Sequence, residues 1–576
     1  MVIDNAMDID NATEDSRLTE PFRAVPRRAM TSQDLEEALA LRSKNLCWVV
    51  SLFLLTSSPG ILNAMHINSY VFLAELPTYS WCKIPALANT NWTGEEIRQI
   101  SSPSPEAQEN CVMYDWNYTM LSNLSFPEAL NYTSTHEKPS ETTCRWGYSY
   151  IEEMSSITTE WDLVCDNTPL RSTVQVAVAV GKFAGSFCFA MLADKFGRRV
   201  IFLLCCVLYM IAAPAVAMSP YYYFMLAMRL AVGVAGAGVY EVGYTILSEM
   251  TLTKHRAVLG CLYNISYAVG ITVLPLLAYF STSWRMLQWC MSFPGFLLLI
   301  HCWFMPESPR WLLNHKRYKE ALKVLYGSKI PEGVSVPQED DDSKAERAAK
   351  CNHLWYKKVF SSIMKLFQLF SSAELISRIS LCHLGWFTAS FSYFMIALNG
   401  DNFHFNKYLY IALNGIFEAP GYLLPIFMNY RLGRKSSCVI LYSIAGFALL
   451  IILALPKGAP VVTVALIGRL CSAAMFAEII LYTSELFPTC VRNTAIGTSL
   501  TQAQVGTIAA PFVVDILGQK AWYFPSTLCG ILCVFTAASI LVLPETKNYP
   551  FPDTMEDIKN APPEQKVSFR RCCTFR

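Results

Sequence analysis

Apolar runs long enough to cross a bilayer recur along this chain, separated by short polar joints and two long polar stretches. A membrane-crossing helix needs about 20 mostly apolar residues. Runs of that kind fall at 46–67, 173–193, 200–217, 222–246, 257–280 and 285–305. Six more fall at 378–398, 408–428, 437–455, 460–483, 497–518 and 523–543. The pattern predicts an all-α polytopic membrane protein with twelve spans. The long polar stretches are 73–170, after the first run, and 306–375, after the sixth.

Composition agrees with a membrane solvent: 53% of the 576 residues are hydrophobic and only 16% are charged, where soluble domains carry about 25%. The net charge of +1 gives no reason to expect a nucleic-acid partner. Lys and Arg mark the cytoplasmic side of membrane proteins. They gather in the N-terminal tail, at Lys195/Arg198/Arg199, at Lys254/Arg256, along 310–365, at Arg431/Arg434/Lys435 and in the C-terminal tail. Both termini are therefore predicted to be cytoplasmic, with the first span directing insertion and no cleaved signal peptide.

That orientation puts 73–170 outside. This stretch carries Asn-x-Ser/Thr sequons at Asn91, Asn117, Asn123 and Asn131, candidate glycosylation sites. It also holds Cys82, Cys111, Cys144 and Cys165, four of twenty cysteines, in the oxidising compartment. Two disulfides are predicted, with three connectivities open.

The chain divides into a cytoplasmic tail 1–45, a six-helix unit 46–305 that includes the outer loop, a cytoplasmic insert 306–375, a second six-helix unit 376–545 and a tail 546–576. In the insert, Trp311, Leu312, Tyr318, Ala321, Leu322 and Leu325 recur at helical spacing among basic residues. They predict amphipathic helices at the membrane surface. The acidic run 339–342 reads as a solvated loop.

The two six-helix units repeat. Gly433-Arg434-Lys435 lies 236 residues after Gly197-Arg198-Arg199, and Ser484-Glu485…Arg492 lies 236 after Ser248-Glu249…Arg256. Pro544-Glu545-Thr546 follows Pro306-Glu307-Ser308 by 238. Such a repeat predicts two bundles related by an axis along the membrane normal, a transporter architecture with its substrate site between them.

Leu192-Ala193-Asp194-Lys195-Phe196-Gly197-Arg198-Arg199 resembles the loop signature of the major facilitator superfamily. Ala190 stands where a leading Gly is usual, and Tyr430 stands at the Asp position of the second copy. The resemblance implies an inner-gate latch between the halves, with Asp194, Gly197, Arg198, Arg199, Glu249, Arg256, Glu485 and Arg492 as gating or ion-pair residues. Further motifs are Glu160-Trp161-Asp162-Leu163-Val164-Cys165, Gly243-Tyr244-Thr245-Ile246-Leu247-Ser248-Glu249, Pro306-Glu307-Ser308-Pro309-Arg310-Trp311, Glu485-Leu486-Phe487-Pro488-Thr489 and Pro544-Glu545-Thr546-Lys547. Together these are similar to the organic cation, organic anion and carnitine transporter family of solute carriers. That resemblance implies carriage of small organic ions across a plasma membrane by facilitation or exchange, with the first, fourth, seventh and tenth spans lining a central cavity.

Charges inside the spans cost about 2.5–3.5 kcal/mol each on insertion scales, so each needs a reason. They are Lys182, Arg229, Glu241, Glu418, Arg469, Glu478 and Asp515. By a rise of about 1.5 Å per residue, Glu241 and Glu478 sit at similar depth, roughly 10–12 Å from the inner ends of their spans. They are candidates to face one another and attract a cation, or to pair internally, Glu241 with Lys182. Glu418 and Arg469 lie at comparable depth in spans eight and ten, and an internal ion pair is expected. Gly233, Gly236 and Gly238 predict close helix packing.

Tyr240 and Tyr244 share a helix face, as do Trp386 and Tyr393. Such rings attract an ammonium group, and they match cavity-lining aromatic positions of the family. The central span-eleven position, which holds Asp in many cation carriers and Arg in anion carriers of the family, is Gln504. Substrate charge then rests on Glu241 and Glu478, which favours a cation or zwitterion such as an amine or a choline- or carnitine-like compound. An organic anion or sugar carrier of the same fold, with Arg469 holding a carboxylate, is the alternative. A ligand-binding receptor or scaffold without transport is the alternative of another class. No nucleophile–base pair, nucleotide loop or metal-ligand spacing is evident, so neither an enzyme nor a cofactor is expected.

Overall fold

The structure, a computed structural model, describes residues 32–152, 154–327, 369–403, 405–488 and 491–547, with scattered positions of the C-terminal tail. The acidic run 339–342 and most of both tails lie outside the described residues.

Among the described residues, eleven helices are long and apolar enough to cross a membrane: Leu46–Leu73, Cys165–Phe196, Arg198–Ala217, Tyr222–Met250, Val258–Tyr279, Trp284–Phe304, Ala373–Leu398, Lys407–Arg431, Arg434–Ala454, Ala459–Leu486 and Arg492–Leu517. The twelfth, Phe524–Ile540, has 17 residues, about 26 Å at the helical rise, and completes the expected set. Several helices overrun their apolar runs. Tyr222–Met250 has 29 residues, about 44 Å, so its ends extend beyond a hydrocarbon core of about 30 Å.

The second span packs against the fourth, the third against the fourth, the seventh against the eleventh and the ninth against the twelfth. Glycines set the closest of these contacts. A Cβ on Gly181 would overlap the carbonyl oxygen of Leu230, and one on Gly233 would overlap that of Val178. Small residues thus let the second and fourth backbones touch, as expected of Gly233. The two halves meet where the fifth span packs against the eighth and the second against the eleventh. These contacts correspond under the repeat.

Residues 73–170 form a folded cap rather than a plain loop. Tyr79–Cys82 pairs antiparallel with Tyr148–Ile151, and Val112–Tyr114 with Glu141–Thr143. Cys82 bonds Cys144 and Cys111 bonds Cys165, which selects one of the three open connectivities. The cap has its own small core, including Ile84, Leu87, Ile100, Met113 and Leu121. All four sequon asparagines are exposed.

The Trp-Asp-Leu-Val-Cys segment seats the cap on the sixth span. Glu160 accepts from the Trp284 indole at 2.7 Å and pairs with Arg285. Trp161 packs on Trp284 with ring centroids 5.5 Å apart. At the opposite end, Pro309–Asn314 and Tyr318–Tyr326 are the expected insert helices. They dock on a helix the sequence reading missed, Ser32–Ser43 of the N-terminal tail. Leu325 packs with Leu35 and Leu39, and Arg310 pairs with Glu36 at 2.6 Å.

Candidate functional site

Polar contacts join the two halves at the cap end. Asp515, near the end of the eleventh span, accepts from Tyr70 and Ser172 at 2.5 Å each and from Arg171 at 2.8 Å. Arg171 also donates to the Ala74 carbonyl at 2.6 Å. Beside this cluster Glu75 pairs with Lys407, and Phe72 stacks on Tyr408 at 5.4 Å. Asp515 is therefore engaged by the other half, a role its sequence context did not reveal. Nearby, Glu109, Cys111 and Cys165 come close together, but the two sulfurs are bonded to each other and offer no thiolate to a metal.

At the tail end the repeated motifs clasp within each half. Arg198 pairs with Asp194 at 2.8 Å and with Glu249 at 3.2 Å. Arg434 pairs with Glu485 at 3.1 Å. Gly197 and Gly433 share φ values of +107° and +106°, which L side chains avoid. These turns bring the next helix N-terminus onto a glutamate. Glu307 accepts from the backbone N–H of Arg198 at 2.9 Å and of Arg199, and Glu545 does the same for Arg434 at 2.9 Å and Lys435. A carboxylate there answers both the unpaired N–H groups and the helix dipole. The proline-glutamate motifs, seen in the sequence only as a repeat, thus supply the caps.

The implied latch needs correction. Implied as a clasp between halves, the latch pairs Arg198 and Arg434 each within its own half in this conformation, where the halves are joined at their other ends. Arg198 and Arg434 take the glutamates, Arg256 donates to the Ser248 carbonyl at 2.9 Å and Arg492 donates to that of Phe487 at 3.3 Å. Tyr430, in place of the second Asp, is exposed, and Lys547 donates to its carbonyl at 2.9 Å.

Midway along the spans, Glu418 and Arg469 form the expected ion pair at 2.5 Å, and neither side chain has exposed surface. Glu418 also accepts from Tyr393 at 2.9 Å and Tyr422 at 2.7 Å. The Arg469 guanidinium lies 3.6 Å from the Tyr393 ring centroid and donates to the Tyr393 carbonyl at 2.9 Å. From the other half, Tyr267 lies within reach of the Glu418 and Arg469 charges and accepts from Asn68 at 3.3 Å. Tyr240 packs on Tyr267 with centroids 6.1 Å apart and feels the Glu418 charge. Four tyrosines from both halves therefore surround one buried ion pair.

Tyr240 and Tyr244 flank Tyr263 at 5.0 and 5.4 Å, and Tyr240 donates to Asn264 at 2.8 Å. Trp386 and Tyr393 both contact Phe476, at 5.8 and 6.5 Å. Trp386 is fully buried and donates to Thr483 at 3.0 Å. The Gln504 amide oxygen is buried without a partner. Tyr263, Tyr267, Tyr422 and Phe476 were not singled out from sequence. The signal was present: Tyr263 and Tyr267 are four apart in a span, and Tyr422 is four after Glu418.

Glu241 and Glu478 are not turned toward one another. Glu241 accepts from Ser186 of the second span at 2.5 Å with the Lys182 charge nearby, so it forms a hydrogen bond rather than the anticipated ion pair. Glu478 accepts from Asn429 of the eighth span at 2.5 Å. Each carboxylate points sideways into its own half, where a polar partner offsets part of its burial cost.

This architecture is that of a two-bundle membrane carrier. A family model described as "Sugar (and other) transporter" matches residues 112–557. The "Organic cation transporter protein" of Drosophila melanogaster is 31% identical, over 88% of this chain and 91% of the relative. "Solute carrier family 22 member 3" of Mus musculus is 30% identical, over 88% and 92%. The chain belongs to the major facilitator superfamily, and within it to the organic ion transporter family of solute carriers. Among solved structures, the inward-open xylose transporter XylE from E. coli superposes with a TM-score of 0.56 at 13% identity, covering 87% of this chain and 98% of its own. That likeness bears on the fold alone.

Proposed function

We propose that this protein carries small organic cations or zwitterions, such as amines and choline- or carnitine-like compounds, across the plasma membrane by alternating access, in a facilitative or exchange mode. In this reading the cap is extracellular, both termini are cytoplasmic and the described conformation faces inward. The observation that carries it is the ring of Tyr240, Tyr267, Tyr393 and Tyr422 around Glu418. Tyrosine faces attract an ammonium group by about 0.5–2 kcal/mol, and a ring shared by both halves lets substrate binding bias their arrangement. Tyr244, Trp386 and Gln504 complete the proposed wall. The Drosophila melanogaster relative named as an organic cation transporter supports the same substrate class.

The anion alternative asks Arg469 to hold a carboxylate. Arg469 is already paired with Glu418 and stacked on Tyr393, so an anion would have to displace a buried partner. Uptake of a broad panel of labelled cations, zwitterions, anions and sugars in transfected cells tests the proposal. Cation uptake that falls on depolarisation, as expected at about 2.3 kcal/mol per charge per 100 mV, supports it. Competition by organic anions but not by amines selects the alternative, and binding without flux selects a receptor.

A further inference from the structure

Glu478 is a fully buried carboxylate that the substrate ring does not use. Its Oε2 accepts from the Asn429 amide nitrogen at 2.5 Å. Its Oε1 is buried with no partner, and so is the amide oxygen of Asn429. Two neighbouring side chains in contact therefore each bury an acceptor that lacks a donor. An ionised Glu478 cannot supply one. A protonated Glu478 has one O–H, which can be directed at the Asn429 oxygen while the amide N–H stays on the other acid oxygen. One proton then satisfies both orphaned acceptors and removes a buried charge, two terms that each favour the neutral acid.

No cation is paired with Glu478 among the described residues. The guanidinium whose charge reaches it, Arg434 of the ninth span, is clasped by Glu485 of the tenth. Glu545 accepts the backbone N–H groups of Arg434 and Lys435, and Cys438 faces Glu478 from the ninth span. On the seventh span the titratable groups at this end are Arg378, paired with Glu374 and donating to the Leu486 carbonyl, His383, which contacts Thr498, and Cys382. The eleventh span carries charge only at its two ends, Arg492 and Asp515.

We propose that Glu478 and Asn429 form a proton-binding site, loaded in the conformation described here, and that release and reloading of this proton accompany the transport cycle. Binding is the simple addition of a proton to the Glu478 carboxylate. Opening the Glu485–Arg434 clasp would free a cation beside Glu478 and favour its ionised form, which links the proton to the rearrangement of the halves.

The first test needs no substrate. Infrared difference spectra of the purified full-length chain, wild type against Glu478→Gln, report the C=O stretch that a protonated acid has and a carboxylate lacks. The glutamine side chain can keep both hydrogen bonds to Asn429, so the fold should persist; Glu478→Met provides a second comparison. The expected result is a protonated-acid band at neutral pH in wild type, lost in both variants. Its absence from wild type overturns the proposal. The second test rests on the transport reading and uses labelled tetraethylammonium. Wild-type uptake should differ several-fold between mildly acidic and mildly alkaline medium, and Glu478→Gln should flatten that dependence. An unchanged pH dependence in the variant overturns the coupling. No tetraethylammonium uptake by wild type counts against the transport reading instead, and the spectra then decide the proton site alone.

Discussion

Arg469 of the tenth span donates to Glu418 of the eighth at 2.5 Å, and neither side chain has any exposed surface. Removing one partner leaves an uncompensated buried charge, which costs about 3–5 kcal/mol. Glu418→Gln and Arg469→Met should each lower the thermal midpoint of the purified protein sharply. The double variant should recover much of the loss, since no charge then remains unpaired. Two single variants as stable as wild type would contradict this account of the pair.

Asp515 should hold the cap ends of the halves together. Its bond to Arg171 joins the second and eleventh spans, so it can exist only while those ends are close. A hydrogen bond to a charged group contributes about 1.5–3 kcal/mol, and losing it should move the equilibrium between conformations roughly 10- to 150-fold. Glu75 and Lys407 also meet across this interface. Cysteines introduced as Glu75→Cys and Lys407→Cys should cross-link readily, and adding Asp515→Asn should cut the yield. An undiminished yield would show that Asp515 does not hold this closure.

The glycine at the second motif turn is required by backbone geometry, whereas the missing acid beside it is not. Gly433 sits at φ +106° and a Cβ there would press on Glu545. Gly433→Ala should cost about 1–3 kcal/mol from backbone strain and lower the thermal midpoint. Tyr430→Asp restores the pattern of Asp194 and Arg198, but an exposed pair four residues apart contributes only about 0.3–0.5 kcal/mol. Its midpoint should barely move. A larger effect from Tyr430→Asp than from Gly433→Ala would reverse this ranking.

The cap should respond to pH through Glu109. Burial, the largest influence, holds its carboxyl above the ordinary 4.5, against the pull of the Arg171 charge and a backbone hydrogen bond from Cys165, with Asp515 adding to the rise. The folded cap therefore prefers the protonated acid. That contribution is complete below 4.5 and is lost as pH rises through the folded value. Thermal midpoints measured from acid to neutral pH should show the loss, and Glu109→Gln should remove that component. An identical pH profile in the variant would rule Glu109 out as its source.

How much was legible in the sequence follows from the range of each interaction. Twelve spans, their repeat and the Glu418–Arg469 pair could be read because they depend on local apolarity, fixed offsets and the cost of isolated charge in a membrane. The folded strands of the cap could not, since short strands such as Val112–Tyr114 exist only through partners about thirty residues away. Tyr267 and Tyr422 were visible as residues but not as a ring, because their common centre lies between two bundles.

The sequence by itself determined the architecture: where the chain crosses the membrane, how the halves correspond and which charges need partners. Tertiary structure alone decided the pairing of Cys82 with Cys144 and of Cys111 with Cys165, the capture of Asp515 by the opposite half and the sideways turn of Glu241 and Glu478. Helix rotation gives the physical reason. Successive residues point about 100° apart around a helix, so depth in the membrane follows from counting along the chain. The direction a carboxylate faces is fixed only when neighbouring helices pack against it.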